Sequence, residues 1–142
     1  MDFPFSRESK SEADTSEIAI EFSKLLCDGM VVSLNGNLGT GKTFFVKRVL
    51  EVFDVSNANS PTFAIVNEYY GKKIFYHIDF YRINFEKELY DIGIEEYFSN
   101  DKAITFIEWG NMFLNILPKQ RIEINITMLN DDLRKFDFVK YE

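Results

Sequence analysis

The chain is poor in several things, and each shortage removes a class of protein. One cysteine, Cys27, in 142 residues excludes an internal disulfide and suits a reducing compartment. Cys27 follows Phe22, Leu25 and Leu26, and is expected to be a buried structural thiol. No apolar run approaches the roughly 20 residues that cross a bilayer. The opening residues, MDFPFSRESKSEAD, lack the basic start and apolar stretch of a signal peptide. The expectation is a soluble, cytoplasmic chain. Positive charge is scarce: 16 Lys and Arg stand against 23 Asp and Glu, for a net charge of −7. Phosphate contacts along a nucleic acid need clustered basic residues, so any such role needs a partner to supply them. Repeats, low-complexity tracts and interdomain linkers are absent, which leaves one domain spanning 1–142.

What is present is a globular core. Apolar residues make up 46 %, aromatics 16 %, and phenylalanine alone accounts for 15 positions. Residues 3–6 suit a short first strand. A helix follows, with Thr15, Ser16 and Glu17 ahead of an apolar pattern through Leu26, ending at Asp28-Gly29. The apolar run Met30–Leu34 predicts a buried parallel strand, and Phe44–Phe53 has helical periodicity. Residues 54–61 form a polar loop. Phe63–Tyr70 and Lys73–Tyr81, joined by Gly71-Lys72, predict an antiparallel hairpin. Residues 85–98 predict two helical turns split at Gly93. Ala103–Ile107 predicts a second buried strand, and 111–117 a short helix stopped by Pro118. Arg121–Met128 alternates like a half-exposed strand, and Phe136–Tyr141 suits a final edge strand. The class is α/β: a P-loop NTPase-like three-layer sandwich with a mixed, mostly parallel sheet and an antiparallel hairpin.

Between the first buried strand and the helix at Phe44 stands GNLGTGKT, Gly36 to Thr43. It matches the phosphate-binding pattern Gly-x4-Gly-Lys-Thr in full, in the strand–loop–helix context that the pattern requires. Chance gives the bare pattern in roughly half a per cent of chains this long. Glycines at 36, 39 and 41 let backbone N–H groups converge on a phosphate, and the helix that follows aims its positive end there. Lys42 reaches the β- and γ-phosphates, and the Thr43 hydroxyl ligates Mg²⁺. Such a loop needs an acid at the end of a neighbouring strand to hold the metal or its water. Glu108, ending AITFIE, and Asp79, in Tyr-His-Ile-Asp, both qualify, and spacing does not rank their roles. Period-two alternation puts Phe75, His77, Asp79 and Tyr81 on one face. Ser60-Pro61-Thr62 lies where switch-type NTPases sense Mg²⁺ and γ-phosphate.

The order GxLGxGKT (36–43), SPTF (60–63), HxDxYR (77–82), ELYDIGIEEYF (88–98) and IEW (107–109), with Leu117-Pro118-Lys119-Gln120-Arg121 after it, resembles the TsaE (YjeE) family. These are bacterial P-loop ATPases of tRNA threonylcarbamoyladenosine synthesis. The resemblance runs from about residue 12 to about 138. It implies an ATP–Mg²⁺ site made by Lys42, Thr43, Thr62, Asp79 and Glu108, with Trp109 close to the nucleotide. The loop backbone from Asn37 through Leu38, Gly39, Thr40, Gly41, Lys42 and Thr43 to Phe44 would carry the phosphates. Family members act with TsaD and TsaB. TsaD transfers the threonylcarbamoyl group to adenosine 37 of tRNA, and ATP hydrolysis by TsaE is thought to reset the complex. The acidic charge fits a component that leaves tRNA contact mainly to its partners. The chain departs from the family's usual Asp at Asn37, Ala at Thr40 and Thr at Phe44, none of which removes a phosphate or metal ligand.

Three other classes fit less well. A small-molecule P-loop kinase closes several arginines over the transferred phosphoryl group. This chain has only Arg7, Arg48, Arg82, Arg121 and Arg134, with no adjacent pair. A GTPase reads guanine through an Asn-Lys-x-Asp stretch, which is missing. A binding module without turnover has no need of both Asp79 and Glu108.

Overall fold

The computed structural model describes residues 2–55 and 65–142. Ser60, Pro61 and Thr62 lie outside the described residues. Seven strands form one sheet: β1 (Phe5–Ser9), β2 (Val31–Asn35), β3 (Val66–Tyr70), β4 (Ile74–Asp79), β5 (Ala103–Glu108), β6 (Arg121–Met128) and β7 (Arg134–Tyr141). Their order is β1-β7-β6-β2-β5-β4-β3. The pairings β6–β2, β2–β5 and β5–β4 are parallel. The outer pairings β1–β7, β7–β6 and β4–β3 are antiparallel. The expected parallel character therefore belongs to the four central strands, and hairpins close both margins.

Helices α1 (Glu12–Ser23) and α2 (Lys42–Val52) cover one face, while α3 (Glu86–Asp91), α4 (Ile94–Ser99) and two 3-10 turns (Phe80–Arg82, Gly110–Phe113) cover the other. Both faces being covered explains why β2 and β5 are buried along their whole length and read as near-continuous apolar runs. On the α1/α2 face the rings of Phe22, Phe45, Phe136 and Phe138 pack at centroid distances of 5.3–6.4 Å. On the other face Ile78, Phe80, Leu89, Ile94 and Ile107 are fully buried.

The structure corrects several local expectations. Helix α1 starts one turn earlier than its apolar pattern suggests, because Ser11 caps it by accepting from the Asp14 N–H at 3.0 Å. Cys27 is exposed; the helix has already ended at Ser23, and Leu26 takes the buried position in the turn beyond it. Strand β4 ends at Asp79 rather than Tyr81, since the Asp79 carboxylate accepts from the Tyr81 N–H at 3.0 Å and starts a 3-10 turn. The helix expected at 111–117 is a 3-10 turn over Gly110–Phe113. β7 is interior, with β1 laid along its outer side as the edge. The polar face of β6 is covered at Glu123, though Thr127 on the same face is exposed. Glu123 is buried and paired with Arg121 at 2.5 Å, and Arg121 also donates to the Pro118 carbonyl.

Candidate functional site

β2, β5 and β4 run parallel, so their carboxyl ends meet at one edge of the sheet, the edge where open α/β sheets take ligands. The register makes Asp79 and Glu108 direct neighbours on adjacent strands, roughly 4.8 Å apart along the backbone. From β2 the chain enters the glycine loop. Asn37, Leu38 and Gly39 are exposed at its tip. Thr40 is buried and closes the loop on itself, its hydroxyl donating to the Asn37 carbonyl at 2.9 Å. Thr40, one of the departures from the family pattern, thus braces the loop. Gly36 lies against β6: a Cβ there would come within 2.7 Å of the Ile126 carbonyl oxygen. Gly41, at φ +97, turns the chain into α2. The first N–H groups of α2 have no acceptor inside the helix and lie at its positive end.

The side chains of this edge form one connected set. The Thr43 hydroxyl lies 2.8 and 2.9 Å from the two carboxylate oxygens of Glu108. His77 Nε2 bonds the same carboxylate at 2.6 Å. Lys42 is buried, and its ammonium donates to the carbonyls of Gly36 (2.7 Å) and Asn37 (3.0 Å). The same ammonium sits 4.1 Å from the centroid of the Trp109 ring, a cation–π contact. Trp109 also packs on Tyr81 at 5.0 Å. Trp109 adopts φ +63, a left-handed conformation uncommon for a bulky residue. Its own N–H donates to the Leu34 carbonyl at 2.9 Å and fixes it there. A cleft of about 270 Å³ is lined by Leu38, Gly39, Gly41, Lys42, Thr43, Phe44, Asp79, Tyr81, Glu108 and Trp109.

The charges sort by surroundings. Burial pushes the Glu108 carboxyl up, but the hydrogen bond and field of His77, the Thr43 hydroxyl and Lys42 together hold it below the usual carboxylate range. Asp79 goes the other way: burial and the Glu108 charge raise it, against the Tyr81 N–H, His77 and Arg82, which lower it. Lys42 is lowered by burial, an effect that Glu108 and Asp79 oppose. Two carboxylates beside one lysine are a poor site for a bare polyphosphate and a good one for a polyphosphate carrying a cation. The donor set fits Mg²⁺, which takes one or two protein oxygens and leaves the rest to phosphates and water. Among the described residues no three His, Cys, Asp or Glu side chains form a metal-binding group.

Of the candidate site residues, Ser60, Pro61 and Thr62 lie outside the described residues, and Asn37–Phe44, Asp79, Glu108 and Trp109 line this cleft or form the loop beside it. Asn37 and Thr40 contribute as loop backbone and brace. Phe44 lines the cleft and lies under the Arg48 guanidinium at 4.8 Å. His77 was within a recognised motif without a role of its own; its period-two kinship with Asp79 was the signal for it. Asn35 was not singled out at all. Its amide donates to Asn125 and Glu123, and its carbonyl oxygen accepts from the Asn111 N–H at 3.0 Å, tying β2 to the segment after Trp109.

A family model for "Threonylcarbamoyl adenosine biosynthesis protein TsaE" matches residues 9–136. The tRNA threonylcarbamoyladenosine biosynthesis protein TsaE of Rickettsia bellii is 38 % identical over 127 residues, covering 87 % of each chain. The protein of the same description from Bacillus subtilis is 37 % identical over 127 residues, covering 88 % of this chain and 78 % of that one. The crystal structure of Bacillus subtilis YdiB superposes with a TM-score of 0.82 at 29 % identity, over 100 % of this chain and 88 % of that one.

Proposed function

This chain belongs to the TsaE family of threonylcarbamoyl adenosine biosynthesis proteins, and from that membership we propose that it is the ATP-hydrolysing component of the machinery, working with TsaD and TsaB. The chain acts as one domain, in the cytoplasm, with tRNA contacted mainly through those partners. The observation that carries the reading is Thr43: the hydroxyl closing the glycine loop is seated on the Glu108 carboxylate, brought from a different strand. That juxtaposition of loop hydroxyl and strand-end acid is what a P-loop NTPase needs to hold a magnesium nucleotide.

Lys42 leaves the loop carbonyls for the β- and γ-phosphates, and the α2 N–H groups take the phosphate oxygens. Thr43 and Glu108 would hold Mg²⁺, with Asp79 at its edge; the ion, when bound, screens the phosphate charges. His77 fixes Glu108 in place through Oε2, an oxygen it shares with the Thr43 hydroxyl. Asp79, raised by burial and open to the cleft, orients the attacking water and accepts its proton. Arg82, 3.9 Å from Asp79, keeps that carboxylate turned inward. Basal turnover is slow, and docking on TsaD–TsaB completes the site.

ATPase rates with and without purified TsaD–TsaB test this: stimulation is expected, and equal rates refute partner gating. Lys42→Ala should weaken ATP binding by about tenfold to hundredfold, given at least one lost charge-assisted contact, with Trp109 fluorescence as the readout. Undiminished binding in that variant refutes the phosphate-loop reading.

A further inference from the structure

Asn35 ends β2 at the mouth of the glycine loop, and its side chain is buried with every hydrogen-bonding position in use. Its Nδ2 donates to Glu123 Oε1 at 3.3 Å and to Asn125 Oδ1 at 3.0 Å. Its Oδ1 accepts from the Asn111 N–H at 3.0 Å and from the Ser33 hydroxyl at 3.4 Å. An amide has two donors and two acceptor sites, so none is left over. The way this one faces is fixed from outside. The Asn111 N–H can only donate, and the Glu123 carboxylate, paired with Arg121, accepts. A flipped amide would set donor against donor and acceptor against acceptor. Arg121 is held in turn by the Pro118 carbonyl at 3.2 Å and the Tyr141 ring at 4.5 Å.

Asn35 stands between two walls of the cleft. The next residue, Gly36, opens the loop and offers its carbonyl to the Lys42 ammonium at 2.7 Å. Asn111, which the Asn35 amide holds, lies two residues beyond Trp109, whose ring covers the same ammonium at 4.1 Å. Three contacts dock that segment on β2: the Trp109 N–H on the Leu34 carbonyl, Gly110 against Ser33, and Asn111 on Asn35. Only the last is a hydrogen bond made by a side chain of β2. Trp109 sits at φ +63, a conformation held by its surroundings rather than by preference, so release of Asn111 lets the indole move. We propose that Asn35 is a positioning residue: through Asn111 it sets the Trp109 ring on Lys42, and Glu123 sets Asn35. It acts on the nucleotide only through the loop and the indole. The inference rests on the ATP reading above for its effect on affinity, and on the fold alone for its effect on Trp109.

An exchange of amide and carboxylate in the full chain tests it. Asn35→Asp keeps the acceptor for Asn111 but sets oxygen against oxygen at Glu123. Glu123→Gln, with its oxygen on Arg121, sets amide against amide at Asn35. The double variant restores a donor facing an acceptor, and the half-buried Asn125 turns its amide to follow. Trp109 is the only tryptophan, so its emission without nucleotide reports the ring directly. Each single variant should shift that emission and weaken MgADP and MgATP, measured by calorimetry, about tenfold. The double variant should return the emission and bring both affinities to within about threefold of wild type. If a single variant does not fold, Asn35→Ala, which removes the bonds without adding a charge, is read in its place and should shift the emission likewise. A lowered melting temperature with wild-type emission and wild-type affinity makes Asn35 merely structural and overturns the proposal. So does a double variant no better than the singles. Wild type that binds neither nucleotide overturns the ATP reading, and the emission of the variants still decides Asn35.

Discussion

Gly110 offers the sharpest link between packing and the site. A Cβ at that position would come 1.9 Å from Ser33 Oγ, 3.0 Å from Ser33 Cβ and 3.3 Å from Leu117 Cδ1. Ser33 cannot retreat: it is fully buried in β2, which is paired on both sides. Gly110→Ala therefore lifts the segment after Trp109 off the sheet. Overpacking of this kind costs about 1–3 kcal/mol. The Asn111 N–H to Asn35 bond goes with it, at about 1 kcal/mol. A total near 3 kcal/mol lowers the melting temperature by about 10 °C in a chain of this length. The same movement draws the Trp109 ring away from Lys42, so emission from the only tryptophan changes before nucleotide is added. The assay is thermal unfolding of Gly110→Ala, Ser33→Ala and the double variant. Ser33→Ala removes the atom at 1.9 Å and only a 3.4 Å hydrogen bond to Asn35, so alone it costs about 1 kcal/mol or less. The double variant should regain at least half of the loss. A Gly110→Ala protein as stable as wild type, or losses that simply add, would refute the steric reasoning.

The two acids make opposite predictions. Glu108 has a folded-state pKa lowered from its ordinary 4.5, so its stabilising contribution is present above that value and fades as pH falls through the folded pKa. The stability gap between wild type and Glu108→Gln, measured by chemical unfolding, should be full at pH 7 and narrow below about 4.5; a gap independent of pH refutes the ionised Glu108 network. Asp79 is raised, so its ionised form at neutral pH is a cost to folding. Asp79→Asn, which keeps an oxygen for the Tyr81 N–H, should raise the melting temperature slightly at pH 7 while reducing ATP hydrolysis at least tenfold; a destabilised variant with full turnover sinks that assignment.

The glycine loop was legible in the sequence because its chemistry is local: every residue needed to turn the backbone toward a phosphate lies within eight positions. The buried strands at 31 and 103 were legible because only a strand covered on both faces can be apolar throughout. Boundaries failed where a side chain caps a backbone group, at Ser11 and Asp79, or where tight packing replaces propensity, at Gly110. Cys27 was misplaced because helical spacing was carried past the end of its helix.

By itself the sequence determined that this chain has a Gly-x4-Gly-Lys-Thr loop, an α/β core and an acid at the end of each of two strands. It did not determine that Asp79 and Glu108 are register neighbours, that His77 and Thr43 converge on one carboxylate, or that Arg134 lies against Gly41. Those are decided by strand order, β7-β6-β2-β5-β4, a consequence of burying the two faces of one sheet at once. Pairing across a sheet is set by the sum of many contacts, and no short run of residues encodes it.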